Sequence, residues 1–327
     1  MSQKKLALFI LLSLLSIGSG AVFGLLDLFG FIDGRHTLSF SLLLISIFDI
    51  YLITITVFLL NFAQQNRVVL FFIIASLLFS TTFFLMNLNI LLTITSSIIF
   101  FIFLWYAYST SRNRSQLFIS FSPREIFFPV IKTSFLYFMV VLALLAYSQS
   151  KVLVSQNSLI SPQMIKTISH PIVITLNKQL NAELKAQLGN QVSNKVPVQN
   201  QEQVIRLVLQ ESLESMQENG SQDIYGFKPK EIPIEKTIVY KNGDIDVAPV
   251  VDAMLPEIAR RLNDRISQYA VFTPLIVAFL VLLILQPFVY PLELIESFIT
   301  QIIFKIMLKT KFLLLKKEVR EIDVLEL

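Results

Sequence analysis

Residues 38–62 read LSFSLLLISIFDIYLITITVFLLNF. This stretch contains a single charged residue, Asp49. It is longer than the roughly 20 apolar residues that a helix needs to cross the hydrocarbon core of a bilayer. We therefore interpret it as a transmembrane helix.

Five further stretches have the same character, and they set the fold class. The chain is 54% hydrophobic and 15% charged, whereas a soluble domain carries about 25% charged residues. The sequence predicts an all-α polytopic, multi-pass membrane protein with six transmembrane helices in the plasma membrane. The other five predicted spans are Leu6–Leu28, Val68–Met86, Ile90–Tyr108, Phe127–Tyr147 and Tyr269–Pro287.

The first span also fits a cleaved signal peptide. Lys4 and Lys5 precede an apolar run that reaches the small residues Gly18-Ser19-Gly20-Ala21, which is the pattern of such a peptide. The apolar run resumes after these residues and continues to Leu28, which favours an uncleaved helix. Cleavage would leave the orientation of the later helices unchanged, so both interpretations give the same topology.

The basic residues indicate which side of the membrane each connection faces, because short cytoplasmic loops are enriched in Lys and Arg. With a cytoplasmic N-terminus, twelve basic residues fall in short inner segments, and Arg35 alone falls in a short outer loop. The sequence therefore predicts that both termini are cytoplasmic and that residues 148–268 lie outside. The twelve inner residues are Lys4, Lys5, Arg67, Arg112, Arg114, Arg124, Lys305, Lys309, Lys311, Lys316, Lys317 and Arg320.

The segment of residues 148–268 is polar enough to form an extracytoplasmic domain between the fifth and sixth helices. It contains 13 Lys and Arg and 13 Asp and Glu, so it has no net field to attract a charged partner. Periodic apolar residues predict helices over 171–188, with Gly189 as the stop, and from Asn200. Asn242-Gly243 between β-prone runs predicts a hairpin. We expect a small, mostly helical α+β domain with one hairpin.

The two ends of the sixth helix are predicted from prolines and periodicity. No stop is visible between Pro249 and Gln286, so one continuous helix is expected to join the exported domain to the membrane. Pro287 and Pro291 mark the predicted end of this span. The predicted organisation is transmembrane helices 1–5 in residues 1–147, the exported domain in 148–268, helix 6 in 269–290, and a cytoplasmic tail in 291–327.

The C-terminal residues 291–327 predict an amphipathic helix that lies on the inner leaflet. Lys305, Lys309 and Lys316 would contact anionic lipid headgroups. A seventh transmembrane helix is the alternative interpretation. It would bury several charges and place the basic tail outside, so the interfacial helix is preferred.

Asp49 is the most unusual residue of the predicted membrane region. A carboxylate near the bilayer midplane costs at least ~2.5 kcal/mol, and such groups often serve proton or ion pathways. Lys132 is a candidate partner, although the two residues are offset by roughly 8–10 Å in depth at 1.5 Å per residue. Two interpretations stay open: a polar site for transport, or a protonated Asp49 with a structural role while Lys132 extends to the inner surface.

No catalytic, cofactor or metal motif is present. The chain has no cysteine and only two histidines, His36 and His170, which cannot supply a zinc cluster. An aspartyl protease of the membrane needs a second carboxylate at the depth of Asp49, and none is expected there. No Walker or Rossmann glycine pattern occurs. The sequence predicts neither an enzyme nor a bound cofactor.

We therefore expect a non-enzymatic membrane protein whose exported domain binds an extracytoplasmic partner or ligand. Envelope scaffold, sensor and assembly factor all fit, with a protein partner or self-association through residues 148–268. Nucleic acid is not expected as a partner, because the basic residues flank membrane helices. The alternative is a channel or secondary transporter that uses Asp49. The single midplane charge and the lack of internal duplication argue against it.

Overall fold

A computed structural model of the chain describes residues 3–33, 38–61, 68–117, 123–195, 231–240 and 244–312. Six of the described helices are long and apolar enough to cross a membrane, and they begin at residues 3, 38, 68, 90, 123 and 273. The prediction of a multi-pass protein with six membrane helices is confirmed. The helices are α1 (Gln3–Leu25), α2 (Leu28–Ile32), α3 (Leu38–Asn61), α4 (Val68–Asn87), α5 (Ile90–Leu117), α6 (Pro123–Ser155), α7 (Pro162–Lys195), α8 (Ala248–Ser267) and α9 (Thr273–Lys309).

The chain divides into two compact units. The first, here called the bundle, comprises residues 1–31, 36–149 and 274–327. The second unit comprises residues 32–35 and 150–273. The bundle therefore holds the apolar helices, and the second unit holds most of the polar segment that follows α6.

Helices α1 and α4 pack closely because glycines of α1 face the contact. A Cβ atom at Gly20 would lie 2.5 Å from the carbonyl oxygen of Phe79 and would overlap the Thr82 hydroxyl. A Cβ atom at Gly24 would lie 2.6 Å from the Cβ of Met86. Small residues let helix backbones approach in lipid, where van der Waals packing drives association. The glycines therefore bring the α1 and α4 backbones into close contact.

Helices α6 and α9 meet α3 through aromatic rings instead. The ring centroid of Phe58 in α3 lies 5.0 Å from that of Phe127 in α6 and 5.2 Å from that of Phe304 in α9. Both pairs are edge-to-face, an arrangement that aromatic quadrupoles favour. These three fully buried rings are called the aromatic triad below. They join three helices at one level of the bundle.

The two ends of the described bundle meet each other. Lys4 donates hydrogen bonds from Nζ to the carbonyl oxygens of Lys311 (3.3 Å) and Phe312 (2.9 Å). The same ammonium lies 5.2 Å from the centre of the Phe312 ring. A cation at these carbonyls complements the negative end of a helix dipole. The start of α1 and the end of α9 therefore lie at the same end of the bundle.

The prediction of one continuous helix from Pro249 into the membrane is wrong. Helix α8 ends at Ser267, and α9 begins at Thr273. The N–H groups of Tyr269, Ala270 and Phe272 bond to carbonyls only three residues back, as from Ala270 to Ser267 at 3.2 Å. Pro274 has no N–H to continue the helical pattern. The periodic apolar residues of α8 therefore end before the membrane helix starts.

The helix does not end at Pro287 as predicted, because α9 continues through Pro287 and Pro291 to Lys309. Its 37 residues make it about 55 Å long at 1.5 Å per residue. Membrane helices tolerate proline because neighbouring groups satisfy the freed carbonyls. The described residues after Pro291 thus continue the same helix to Lys309, and their position on the inner leaflet stays a prediction. Of the predicted lipid contacts, Lys305 and Lys309 are exposed, and Lys316 lies outside the described residues.

The second unit contains α7, α8 and a short antiparallel sheet. Strands β1 (Ile238–Val239) and β2 (Ile245–Asp246) pair with Ile238 opposite Asp246 and Val239 opposite Ile245. The turn predicted at Asn242-Gly243 lies outside the described residues, and so does the helix predicted from Asn200.

Helix α7 is longer than predicted at both ends. It begins at Pro162 and not at Pro171, because the Ser161 hydroxyl accepts a hydrogen bond from the Met164 N–H at 3.1 Å. This arrangement is an N-cap, with proline at the first helical position. The helix also runs past Gly189, the predicted stop.

Two asparagines of α7 hold strand β2. Asn181 donates to the Ile245 carbonyl (3.0 Å) and accepts from the Ile245 N–H (2.6 Å). Asn177 accepts from the Val247 N–H (3.0 Å) and donates to the Asp246 carboxylate (2.6 Å). An asparagine amide offers the same donor and acceptor as a peptide group. The helix therefore replaces a neighbouring strand at this edge.

Helix α8 is attached by a third asparagine. Asn263 accepts from the Ile160 N–H (2.9 Å) and donates to the Ile160 carbonyl (2.8 Å). On the exposed side of α8, Glu257 accepts hydrogen bonds from Arg260 and Arg261. These two guanidinium groups lower the pKa of Glu257 to about 2. Such an exposed cluster adds little stability, because water screens it.

The glycine contact between α1 and α4 gives a first prediction. Gly20→Ala and Gly24→Ala should each lower the thermal stability of the detergent-purified protein, since overpacking typically costs about 1–3 kcal/mol. Gly18→Ala is the matched control, because its Cβ atom would lie 3.7 Å from its nearest neighbour, Asp49 Oδ1. Thermal unfolding of all three variants would show the difference. Equal midpoints for the three would contradict this packing.

Candidate functional site

The buried polar residues of α9 form one stripe along the helix. Glu293, Glu296, Ser297 and Thr300 are spaced by three and four residues, so they share one helical face. Their exposed fractions are 5%, 6%, 4% and 0%. Buried polar groups are costly without partners. The function of this stripe therefore depends on which groups its polar atoms contact.

Tyr51 of α3 forms the hydrogen-bonded contact with the stripe. The hydroxyl oxygens of Tyr51 and Thr300 lie 2.8 Å apart. The main-chain carbonyl oxygen of Glu296 lies 3.1 Å from the Tyr51 hydroxyl and 2.7 Å from the Thr300 hydroxyl. All of these atoms belong to buried residues. The contact joins α3 to α9 and leaves the side-chain carboxylate of Glu296 unused.

Three atoms of the stripe have no hydrogen-bond partner within the described part of the chain: Glu293 Oε1, Glu296 Oε2 and Ser297 Oγ. The two carboxylates lie close enough to repel each other. Lys132 of α6 lies close enough to Glu293 to attract it. With all three groups ionised, the formal charge of this cluster is −1. The site is therefore rich in oxygen and deficient in positive charge.

Asp49 belongs to a different polar site. Its exposed fraction is 8%, and its carboxylate interacts with Ser19 of α1 and Tyr137 of α6. Asp49 Oδ2, Ser19 Oγ and Tyr137 Oη do not reach hydrogen-bond geometry with any described residue. Asp49 precedes Tyr51 by two positions, which point to nearly opposite sides of a helix. Helix α3 thus separates the two polar sites.

The structure does not bring Asp49 and Lys132 together. No hydrogen bond or ion pair joins them among the residues that the structure describes. Lys132 is exposed, and its carboxylate neighbour is Glu293. The function of Asp49 and of Lys132 stays a prediction. Asp49 therefore belongs to the site with Ser19 and Tyr137, and Lys132 belongs to the site with Glu293.

Sequence reasoning missed Glu293 and Glu296 as bundle residues because Pro287 and Pro291 precede them. Water-based helix rules make two prolines in close succession a stop. A signal was nevertheless present: the first charged residues after the prolines are acidic, and anionic headgroups repel acidic groups. An interfacial position was therefore unfavourable for this part of the helix.

The aromatic triad lies beyond one end of the polar stripe. Phe304 follows Thr300 by about one turn on α9, and Phe58 follows Tyr51 by about two turns on α3. The triad therefore separates the stripe from the end of the bundle that holds the Lys4 contact. Apolar rings therefore lie between the carboxylates and that end.

The second unit has two surface features of its own. Ile168 and Ile172, one turn apart on α7, are 70% and 59% exposed. A separate cavity has a volume of about 320 Å³. Its Arg261 is bonded to Glu231 at 2.8 Å and to Glu257 at 2.7 Å, so these charges pair with each other. The cavity is lined by Glu231, Pro233, Ala253, Met254, Glu257 and Arg261.

Comparison with known proteins assigns no family. No protein-family model, no curated protein and no solved structure matches the chain.

Proposed function

We propose that the bundle moves protons or a small cation across the membrane and that its buried carboxylates carry the charge. The supporting observation is the set of unpaired oxygens on Asp49, Glu293 and Glu296 inside membrane helices. A charged group at the centre of a membrane helix costs about 2.5–3.5 kcal/mol on insertion scales. A purely structural role would offset this cost with hydrogen bonds, and these oxygens have none among the described residues.

In the sequence alone, Asp49 is the only charged residue expected near the bilayer midplane, which speaks against transport. Helix α9 adds Glu293 and Glu296 to the bundle, and Lys132 supplies a cation near them. Intramembrane acids with a nearby base are typical of ion and proton pathways. The two polar sites share α3, so a movement of this helix would affect both of them.

We further propose that both termini are cytoplasmic and that the second unit lies outside the plasma membrane. The twelve basic residues of the short inner segments support this orientation. The contact of Lys4 with Phe312 supports a common side for the two ends. In this orientation the aromatic triad lies on the cytoplasmic side of the stripe. The rings of the triad would then limit exchange of ions with the cytoplasm.

A flux measurement tests the proposed function. Purified protein in liposomes, with a potassium diffusion potential and a pH-sensitive or sodium-sensitive dye inside, should show potential-driven uptake of protons or sodium. Glu296→Gln should reduce the flux by about tenfold or more, because tenfold corresponds to only ~1.4 kcal/mol of barrier. Asp49→Asn should reduce it similarly if both sites lie on the pathway.

The matched control for these variants is Glu125→Gln, which neutralises an exposed carboxylate in the first turn of α6. Its flux should equal that of the unmodified protein. Flux no greater than that of protein-free liposomes would reject the proposal, and so would full activity of Glu296→Gln.

The surface of the second unit favours a second candidate function. We propose that residues 148–268 bind an extracytoplasmic protein, as in a scaffold, sensor or assembly factor. Ile168 and Ile172 present an apolar surface, and such surfaces often contact partners. The segment has equal numbers of acidic and basic residues, so its net charge would not attract a partner. We therefore propose that apolar contact provides the binding energy.

Cross-linking in intact cells tests this second function. Ile172→Asp should reduce the recovered amount of a specific cross-linked protein by about tenfold, equivalent to ~1.4 kcal/mol of binding. Ile174→Asp is the control, because Ile174 is also exposed on α7 but lies two positions away, on a different face. Loss with both variants, or with neither, would contradict a contact through Ile172.

A further inference from the structure

We propose that the polar stripe of α9 is a binding site for a monovalent metal cation of the sodium class, and that Asp49 is not one of its ligands. This inference rests on the proposed function and deepens it, because it names the ion that one of the two polar sites takes. The ligands are the side-chain oxygens of Glu293, Glu296 and Ser297.

The chemistry of the unpaired atoms supports a hard cation. Sodium-like ions prefer oxygen ligands, as calcium and magnesium do. Glu293 and Glu296 each contribute an oxygen without a partner in the described chain. Two neighbouring acids alone would equally suit a shared proton. The two acids by themselves therefore do not favour a metal cation over a proton.

Ser297 provides an observation that favours the metal cation. Its side chain is 4% exposed, and its hydroxyl has no hydrogen-bond partner in the part of the chain that the structure describes. Ser297 follows Glu296 directly and lies one turn after Glu293, on the same buried stripe. A buried hydroxyl without a partner is costly. It becomes a favourable neutral ligand when a cation lies between the two carboxylates.

The charge of the cluster selects a monovalent ion. The two glutamates carry −2 when ionised, and Lys132 near Glu293 returns +1, so one positive charge neutralises the site. A divalent ion would leave an excess positive charge in a low-dielectric interior, which is unfavourable. An anion would meet two unpaired carboxylates. A single monovalent cation is therefore the best match.

Tyr51 and Thr300 are positioning residues for this site. Their hydroxyl groups lie 3.1 and 2.7 Å from the main-chain carbonyl of Glu296, so that oxygen is already occupied. The same contacts fix the turn of α9 that carries both Glu296 and Ser297. Groups that orient ligands typically change metal affinity by about 10–100-fold when removed. Tyr51→Phe should therefore weaken cation binding without abolishing it.

Equilibrium binding of radioactive sodium to the full-length protein in detergent tests the site. The unmodified protein should show one saturable class of site in a choline chloride background. Glu296→Gln and Glu293→Gln should weaken binding by at least about tenfold, or ~1.4 kcal/mol. Glu125→Gln should bind like the unmodified protein. Tyr51→Phe should be intermediate, with binding recovered at higher sodium concentration.

A thermal measurement guards against variants that fail to fold. Sodium should raise the unfolding midpoint of the unmodified protein, because a ligand of the native state stabilises it by RT ln(1 + [L]/Kd), and equal choline should not. If Glu296→Gln does not fold, Ser297→Ala provides the test, since it removes one neutral ligand and little volume. The sodium-dependent shift should shrink in Ser297→Ala and persist in Glu125→Gln.

The outcomes separate this inference from the proposed function. Proton flux in liposomes without saturable sodium binding would overturn the cation site and leave the proposed function standing. Sodium binding without any flux would reject the proposed function and leave the cation site standing. Sodium binding that survives Glu296→Gln and Ser297→Ala, or that calcium displaces at lower concentration than sodium does, would overturn the site as described.

Discussion

The burial of the α9 polar stripe against Tyr51 of α3 is the contact on which the bundle depends. Lipid offers no hydrogen bonds, so polar groups of a membrane helix must find partners inside the protein. The hydroxyls of Tyr51 and Thr300 and the Glu296 carbonyl supply them at 2.7–3.1 Å. This contact holds the second half of α9 in the bundle, brings Phe304 to Phe58, and so creates both the carboxylate site and the apolar rings beyond it.

The bundle uses two kinds of helix contact for two purposes. Glycines of α1 allow close backbone packing on α4, which gives a rigid pair. Aromatic and polar side chains join α3, α6 and α9, beside the buried polar stripe of α9. Helix α3 carries Asp49 toward α1 and α6 and Tyr51 toward α9. Helix α6 is shared as well, because it carries Tyr137 beside Asp49 and Lys132 near Glu293, so any coupling between the two sites would pass through α3 and α6.

The sequence predicts the membrane helices well because the hydrophobic length of a span is a local property. Asp49 was also recognisable, since a lone carboxylate within an apolar run is visible without a structure. The passage of the helix through Pro287 and Pro291 was not, because a missing backbone hydrogen bond commonly ends a helix in water but is tolerated within membrane helices. The neighbours of Asp49 and Lys132 depend on which helices pack together, and one sequence alone does not encode that in any local pattern.

Photo-cross-linking from position 51 tests the central contact most directly. Replacing Tyr51 with p-benzoyl-phenylalanine preserves an aromatic side chain and makes it reactive toward its neighbours under ultraviolet light. The account predicts that irradiation of intact membranes attaches position 51 to the segment 293–304 of α9. The same group at Tyr106, an exposed residue of α5, should not reach that segment. Attachment of position 51 only to lipid or to other helices, with residue 297 open to water-soluble thiol reagents in a Ser297→Cys variant, would contradict the account.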